Sequence, residues 1–207
     1  MQITLIDGTT HTRNHWQWGR GWQPGRRKYA LHLTWEHAPE VHRISAAAHE
    51  ALGRVAELDL IPQQWLHLTM TGIGFTDEVS EEQVTAITDP VFDAWQHLAS
   101  PGVEFTGFLV ADEAIMLQAE LPEWLAVFIE LQRTAVDEVL GPQPWKPFHP
   151  HVSLSYSNGT TPIEPIVDAV HTIAAGLPET VDATPALTLL RIGKDNRMYE
   201  WDVLRGA

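Results

Sequence analysis

The chain has 207 residues, enough to bury a sizeable core as one compact domain or two small lobes. It contains no cysteine, which excludes disulfides, thiolate–metal sites and a cysteine nucleophile, and which favours a cytoplasmic protein. The net charge of −14 argues against non-specific binding of long duplex nucleic acid, and no apolar run is long enough to suggest a membrane span.

Residues 1–28 differ in composition from the rest of the chain. They hold five of the 13 basic residues, including Arg20, but only one of the 27 acidic residues, and three of the nine tryptophans. Cationic and aromatic side chains together suit phosphate contact and base stacking. A packed segment whose tryptophans cover the core explains the composition slightly better. We expect a short strand over residues 2–6 and then a basic, Trp-rich N-terminal arm, with His11 and His15 on its surface.

From residue 29 onwards, strand and helix patterns follow each other. An apolar, β-rich run predicts a strand over residues 29–35. Apolar residues at helical spacing then predict a helix over residues 39–58, and a second strand begins near residue 65. Residues 77–99 are typical of a helix capped by Ser80, which Pro90 is expected to kink or break.

The second half of the chain repeats this mixture of strands, helices and turns. We expect a strand around residues 148–156, preceded by a hairpin and a helix and followed by a helix and a second hairpin. The two hairpins are expected over residues 103–119 and 186–204, and the two helices over residues 122–140 and 163–175. These patterns by themselves predict only the α+β class.

Two of the predicted strands carry the same short pattern of histidine, one apolar residue and a hydroxyl residue. The first has His67 and Thr69, and the second has His151 and Ser153. Because side chains alternate along a strand, the two polar residues of each pattern share one face. Two such strands facing one cleft would place two imidazoles and two hydroxyls around one small ligand. That arrangement suits acid/base chemistry on a phosphate ester.

The same alternation makes a prediction for the rest of the second strand. Ser155 should share the polar face with His151, whereas Tyr156 should lie on the apolar face and belong mainly to the core. His149 should share the face of His151, near the mouth of the cleft.

Spacing and context decide how much weight the pattern carries. Three His-x-Thr/Ser tripeptides occur in the chain, where chance alone gives about one, so the count by itself decides nothing. The third is His32-Leu-Thr34. Nothing after Thr34 supports a catalytic role, so we expect His32 to line the cleft mainly as a structural residue. The other two tripeptides lie 84 residues apart, and they are interpreted as a pair.

This pair resembles the signature of the two-histidine (2H) phosphoesterase superfamily, the 2′,5′-RNA-ligase-like or LigT-like proteins. The run Phe148-His-Pro-His-Val-Ser-Leu154 resembles the Phe-x-Pro-His-Val-Thr-Leu context of that family. The resemblance covers residues 29–204. It implies an α+β fold of two pseudo-symmetric lobes, each an antiparallel sheet flanked by helices, around a central cleft. Residues 29–207 would then form a single bilobal domain behind the arm of residues 1–28.

The resemblance also implies a function. It points to a metal-independent phosphoesterase that hydrolyses 2′,3′-cyclic phosphates of RNA ends or nucleotides, or that carries out reversible 2′,5′-phosphodiester chemistry, without a cofactor. His67 and His151 would act as acid and base in an order that the sequence leaves open, and Thr69 and Ser153 would stabilise the phosphate charge. Further candidates for contact with the substrate are His32, His149, Tyr156, Arg27, Lys146 and Arg191.

Two alternatives stay open. The cleft could hold a nucleotide or RNA end as a non-catalytic binding module. It could also belong to a metal hydrolase that uses His149 and His151 with a distant carboxylate. Under the leading hypothesis the partner is a cyclic nucleotide or RNA terminus, no metal or membrane is involved, and the protein is expected to act as a monomer.

Overall fold

The structure is a computed structural model that describes residues 1–19, 21–99 and 101–207, so Arg20 of the basic segment lies outside the described residues. The elements alternate between strands and helices in the order expected for an α+β protein. They are β1 (Gln2–Leu5), β2 (Lys28–Thr34), α1 (Pro39–Leu52), β3 (Leu58–Leu60), β4 (His67–Phe75), α2 (Glu81–Gln96), β5 (Val103–Val110), β6 (Ala114–Ala119), α3 (Glu123–Leu140), β7 (His151–Ser157), α4 (Glu164–Ala175), β8 (Val181–Ala183), β9 (Ala186–Gly193) and β10 (Glu200–Gly206).

The strands form two sheets, one for each lobe. The four-stranded sheet has the order β10-β9-β2-β4 and is antiparallel throughout. The six-stranded sheet has the order β1-β5-β6-β7-β3, with β8 paired to β5. Its described pairings are antiparallel except that β1 runs parallel to β5. The predicted α+β fold of two mainly antiparallel lobes is therefore confirmed.

The helices cover the two sheets in pairs. Helices α1 and α4 pack together against the six-stranded sheet, and α2 and α3 pack together against the four-stranded sheet. In α1 the buried side chains include Val41, Ile44 and Ala48, whose spacing makes one apolar stripe. Each sheet thus buries one face under helices. The other faces of the two sheets meet along β4 and β7 and form a cleft.

Helix α2 differs from the prediction at Pro90. The capping box of Ser80 and Gln83 is present as predicted, but the helix continues through Pro90 to Gln96 without a break. Of the two outcomes expected at Pro90, a kink or a break, the break is therefore wrong. Pro90 lies on the exposed side, whereas buried apolar residues on both sides of it hold the helix against its neighbours. Packing of that stripe outweighs the hydrogen bond that proline removes from the helix.

We expect Pro90→Ala to stabilise the protein by about 2 kcal/mol, because alanine restores the backbone hydrogen bond to Ala86 and favours the helix. The gain is smaller than the full propensity difference, since proline also restricts the unfolded chain. Urea unfolding of the two proteins measures the difference. A lower free energy of unfolding for Pro90→Ala would show that the helix geometry at this position depends on proline.

Helix α1 ends earlier than predicted, at Leu52 rather than near residue 58. The chain leaves the helix at Gly53, and Glu57 has a left-handed backbone with φ of 66°. The following residues form the edge strand β3, which pairs with the end of β7. Pairing with a strand that lies almost a hundred residues away overrides the helical pattern here, and no local signal marks that pairing.

Candidate active site

A cleft of about 430 Å³ lies between the two sheets. The four-stranded sheet contributes His67 and Thr69 from β4, and the six-stranded sheet contributes His151 and Ser153 from β7. The structure therefore brings the two His-x-Thr/Ser patterns to one cavity, one from each lobe. His67 and Ser153 are buried, His151 is half-buried and Thr69 is exposed.

The two imidazoles are held in the same way. The Nδ1 atom of His67 lies 2.9 Å from the carbonyl oxygen of Trp65, and that of His151 lies 2.8 Å from the carbonyl oxygen of His149. A carbonyl oxygen only accepts hydrogen bonds, so each Nδ1 carries the hydrogen. In the neutral form each Nε2 then keeps a lone pair for a ligand in the cleft.

Burial favours the neutral form of both rings. Loss of hydration lowers the pKa of His67 to about 4; the bond to Trp65 opposes this shift, and the charge of His151 adds to it. Burial also lowers the pKa of His151; the bond to the His149 carbonyl opposes this shift, and the charge of the His149 ring adds to it. Near pH 7, therefore, both rings of the free protein are mainly neutral, and an anionic ligand between them would favour protonation.

His32 packs against the ring of His67. The two rings are stacked, with centroids 4.7 Å apart and planes 18° from parallel. His32 is buried, its Nδ1 lies 2.9 Å from its neighbour's carbonyl oxygen, and burial holds its pKa well below the usual range. The rings of Trp201 and His67 are nearly perpendicular, with centroids 5.2 Å apart. His32 thus lines the cleft from β2, and the face of its neutral ring contacts the ring of His67.

Tyr156 is placed differently from the prediction. In the ladder between β6 and β7, Met116 pairs with Ser153 but Ile115 pairs with Ser155, so Leu154 is an extra residue in β7. Such a bulge reverses the alternation that follows it. Tyr156 therefore lines the cleft, whereas Ser155 is fully buried. The predicted faces of Ser155 and Tyr156 are wrong for this reason.

The other predicted contact residues are not brought to the cleft. His149 is exposed and contributes its carbonyl oxygen rather than its ring. Lys146 is exposed, and its carbonyl oxygen accepts a hydrogen bond from Arg133. The other two arginines are bound to acidic side chains, Arg27 to Asp195 and Arg191 to Asp202.

His15 was predicted to lie on the surface, and this prediction is wrong. It lines the cleft, and its ring is stacked on that of Tyr156 with centroids 4.2 Å apart. Its Nε2 lies 3.1 Å from the hydroxyl of Tyr199, and burial lowers its pKa to about 4. The position of His15 depends on contacts with residues far away in the chain. No local sequence pattern around His15 therefore predicts it.

These contacts belong to the segment of residues 11–19, which crosses between the lobes. The Thr12 amide donates to the carbonyl oxygen of Thr161 beyond β7, and Lys194 in the β9–β10 turn donates to the carbonyl oxygen of Gln17. Trp16 is buried, and its indole donates to Asp59 at 2.8 Å. The segment therefore closes one end of the cleft. Trp16 behaves as the packed interpretation of the basic segment expects, whereas Trp18 is exposed.

Within residues 1–19, 21–99 and 101–207, no group of three or more His, Asp or Glu side chains is placed to hold a metal ion. In the same part of the chain, no helix combines the length and the apolar composition needed to cross a membrane.

Comparison with known proteins agrees with this architecture. The TT0787 protein of Thermus thermophilus is 20% identical, with a TM-score of 0.61 over 86% of this chain and 96% of its own. Apo LigT of E. coli is 13% identical, with a TM-score of 0.58 over 88% of this chain and 96% of its own. No curated protein is significantly similar in sequence. The family model described as the 2′-5′ RNA ligase superfamily matches residues 36–196, most of the chain. The chain therefore belongs to the 2′-5′ RNA ligase superfamily.

Proposed function

We propose that this protein is a metal-independent phosphoesterase that opens 2′,3′-cyclic phosphates at RNA ends or on nucleotides. Reversible 2′,5′-phosphodiester chemistry uses the same groups. The supporting observation is that His67 and His151 come from opposite lobes to one cleft, each with Nδ1 bonded to a backbone carbonyl. Two imidazoles that line one cavity, each with Nε2 left without the hydrogen, would supply the base and the acid that in-line displacement at phosphorus requires.

Their environments favour one assignment of roles for hydrolysis. His67 has a pKa of about 4 and stays neutral, so it is the base that takes the proton of the attacking water. His151 is less buried and is the acid that protonates the leaving ribose oxygen. The new bond joins the water oxygen to phosphorus, and the bond from phosphorus to the 3′-oxygen breaks, which leaves a 2′-phosphate. In the reverse direction the roles exchange.

The ligand class follows from the site and from the relatives. Structures of LigT complexed with ATP and with 3′-AMP are among the similar folds, which supports a nucleotide as the ligand of this cleft. The stacked rings of His15 and Tyr156 provide an aromatic surface beside the two catalytic histidines. We also propose that the protein acts as a monomer in the cytoplasm.

Turnover of a 2′,3′-cyclic nucleotide tests the proposal. The purified protein should convert it to the 2′-phosphate, and ³¹P NMR distinguishes this product from the 3′-phosphate. The rate should be unchanged in excess chelator. Loss of activity in chelator, with recovery on adding a divalent ion, would favour the metal hydrolase. Tight binding of the nucleotide without turnover would favour the binding module.

We expect Thr69→Ala and Ser153→Ala each to lower kcat about a hundredfold, because each hydroxyl donates to a phosphate oxygen whose charge grows in the transition state. The KM should change much less. Thr69→Ser and Ser153→Thr retain the hydroxyl and serve as matched controls, which should keep most of the activity. A large rise in KM at constant kcat would instead assign these hydroxyls to substrate binding.

A further inference from the structure

One basic side chain in the cleft has no role in the proposed chemistry. Lys28, the first residue of β2, is the one lysine or arginine among the described residues that line the cleft. Its ammonium lies 5.7 Å from the ring centroid of Phe75. Within the described chain it forms no ion pair. The charge of Glu78 raises the pKa of Lys28, but the Glu78 carboxylate is bound to Arg26. Arg26 and Arg27, by contrast, are both paired with acidic side chains.

The position of the ammonium follows from Gly72 on the neighbouring strand. A Cβ atom on Gly72 would lie 2.8 Å from the Nζ of Lys28, so the ammonium lies directly over this glycine. In the ladder, Ala30 pairs with Gly72 and His32 pairs with Thr69, two pairs further along. At about 3.3 Å per residue, the ammonium is roughly 7 Å along the cleft from Thr69. That is about the length of one nucleotide.

The environment favours an anion at this point. Lys28 is half-buried, and burial lowers its pKa, so the charge lacks both full hydration and a carboxylate partner. Its charge also contributes to the lowered pKa of His32 in the same cleft. The acidic residues that line the cleft, Asp112 and Glu113, are bound to Arg13. A phosphate beside Lys28 would supply the missing counter-charge.

We propose that Lys28 binds a second phosphate of the substrate, one nucleotide length from the phosphate that reacts. This inference rests on the proposed function, and it names the substrate class. The preferred substrate is a cyclic phosphate that carries another phosphate, either as the 5′-phosphate of the same nucleoside or as the next phosphodiester of an RNA end. A cyclic nucleoside phosphate without that group is the poorer substrate.

The test compares three substrates: adenosine 2′,3′-cyclic phosphate, its 5′-phosphorylated form, and a diadenosine ending in a 2′,3′-cyclic phosphate. For the wild type, we expect kcat/KM to be at least about tenfold higher for one of the two substrates with the extra phosphate. The substrate whose kcat/KM is higher identifies the source of that phosphate, either the 5′-phosphate of a nucleotide or the phosphodiester of an RNA end. Lys28→Met should reduce this preference at least about tenfold, and Lys28→Arg should keep most of it. Equal kcat/KM values for all three substrates would overturn the proposal.

Lys146→Met is the matched control, because it removes the same charge from an exposed position outside the cleft. It should leave the preference unchanged, and a loss as large as in Lys28→Met would overturn the proposal by assigning the effect to net charge.

Binding separates this inference from the proposed function. Calorimetry with adenosine 2′,5′-bisphosphate and with 2′-AMP should show at least about tenfold tighter binding of the bisphosphate, an advantage lost in Lys28→Met. If no substrate is turned over but this difference is seen, the catalytic proposal fails and the second-phosphate site stands. Equal affinities for the two ligands would overturn the site, whatever the activity.

Discussion

Replacing either His67 or His151 by alanine is expected to reduce kcat about a thousandfold. Each ring supplies a proton transfer that water performs poorly, and general acid or base catalysis contributes about 10²–10⁴-fold. The double variant should be little worse than either single variant, because the two groups act together in one displacement. Initial rates with a 2′,3′-cyclic nucleotide measure all three proteins.

The control for these variants is another histidine. His171→Ala removes an exposed imidazole on α4, outside the cleft, and should leave kcat unchanged. Circular dichroism must show that the His67 variant keeps its fold, since His67 is buried and stacked on His32. Near-normal turnover by a folded His67→Ala or His151→Ala protein would remove the two-histidine mechanism.

The second large effect concerns pH. In the free protein, kcat/KM requires neutral His67 and protonated His151. The pKa of His67 is about 4, and that of His151 is below its ordinary value near 6.5. The active combination is therefore most populated on the acidic side of neutrality. Above the pKa of His151, kcat/KM should fall about tenfold per pH unit, so that it is at least about tenfold lower at pH 8 than at pH 6.

The profile of kcat should lie at higher pH than that of kcat/KM. A bound phosphate anion favours the protonated form of both rings, so their pKa values rise in the complex. Rates from pH 4.5 to 9, at saturating and at low substrate, separate the two profiles. Profiles that are flat from pH 5 to 9, or a kcat/KM that increases between pH 6 and 8, would contradict the assigned roles.

Unfolding in acid sets the lower limit of that experiment. His15 and His67 are neutral in the fold, with pKa values of about 4, but titrate near 6.5 in the unfolded chain. The unfolded state therefore binds more protons between these values, and stability falls as the pH decreases from about 6.5 toward 4. Each such histidine costs up to about 1.4 kcal/mol per pH unit over that range. Rates in acid must accordingly be corrected for the folded fraction.

The sequence by itself determined the class of fold and the two residue patterns of the candidate site. Alternation of apolar and polar residues assigned His67 with Thr69, and His151 with Ser153, to one face each, because the period of a strand is a local property. Apolar stripes and end signals predicted α2, α3 and α4 within a few residues of their bounds. Family resemblance added that the two patterned strands belong to opposite lobes of one cleft.

The tertiary structure alone decided which other side chains line the cleft. The bulge at Leu154, which turns Tyr156 into the cleft, depends on the register of β6 as the partner strand. His15 reaches the cleft because residues 11–19 bond to both lobes, and Lys28 does so because Gly72 on β4 leaves space for its ammonium. Helix α2 passes Pro90 because of packing on either side. The positions of Tyr156, His15 and Lys28 and the continuation of α2 through Pro90 all depend on contacts between residues distant in the chain. A local sequence pattern contains no information about the energies of such contacts.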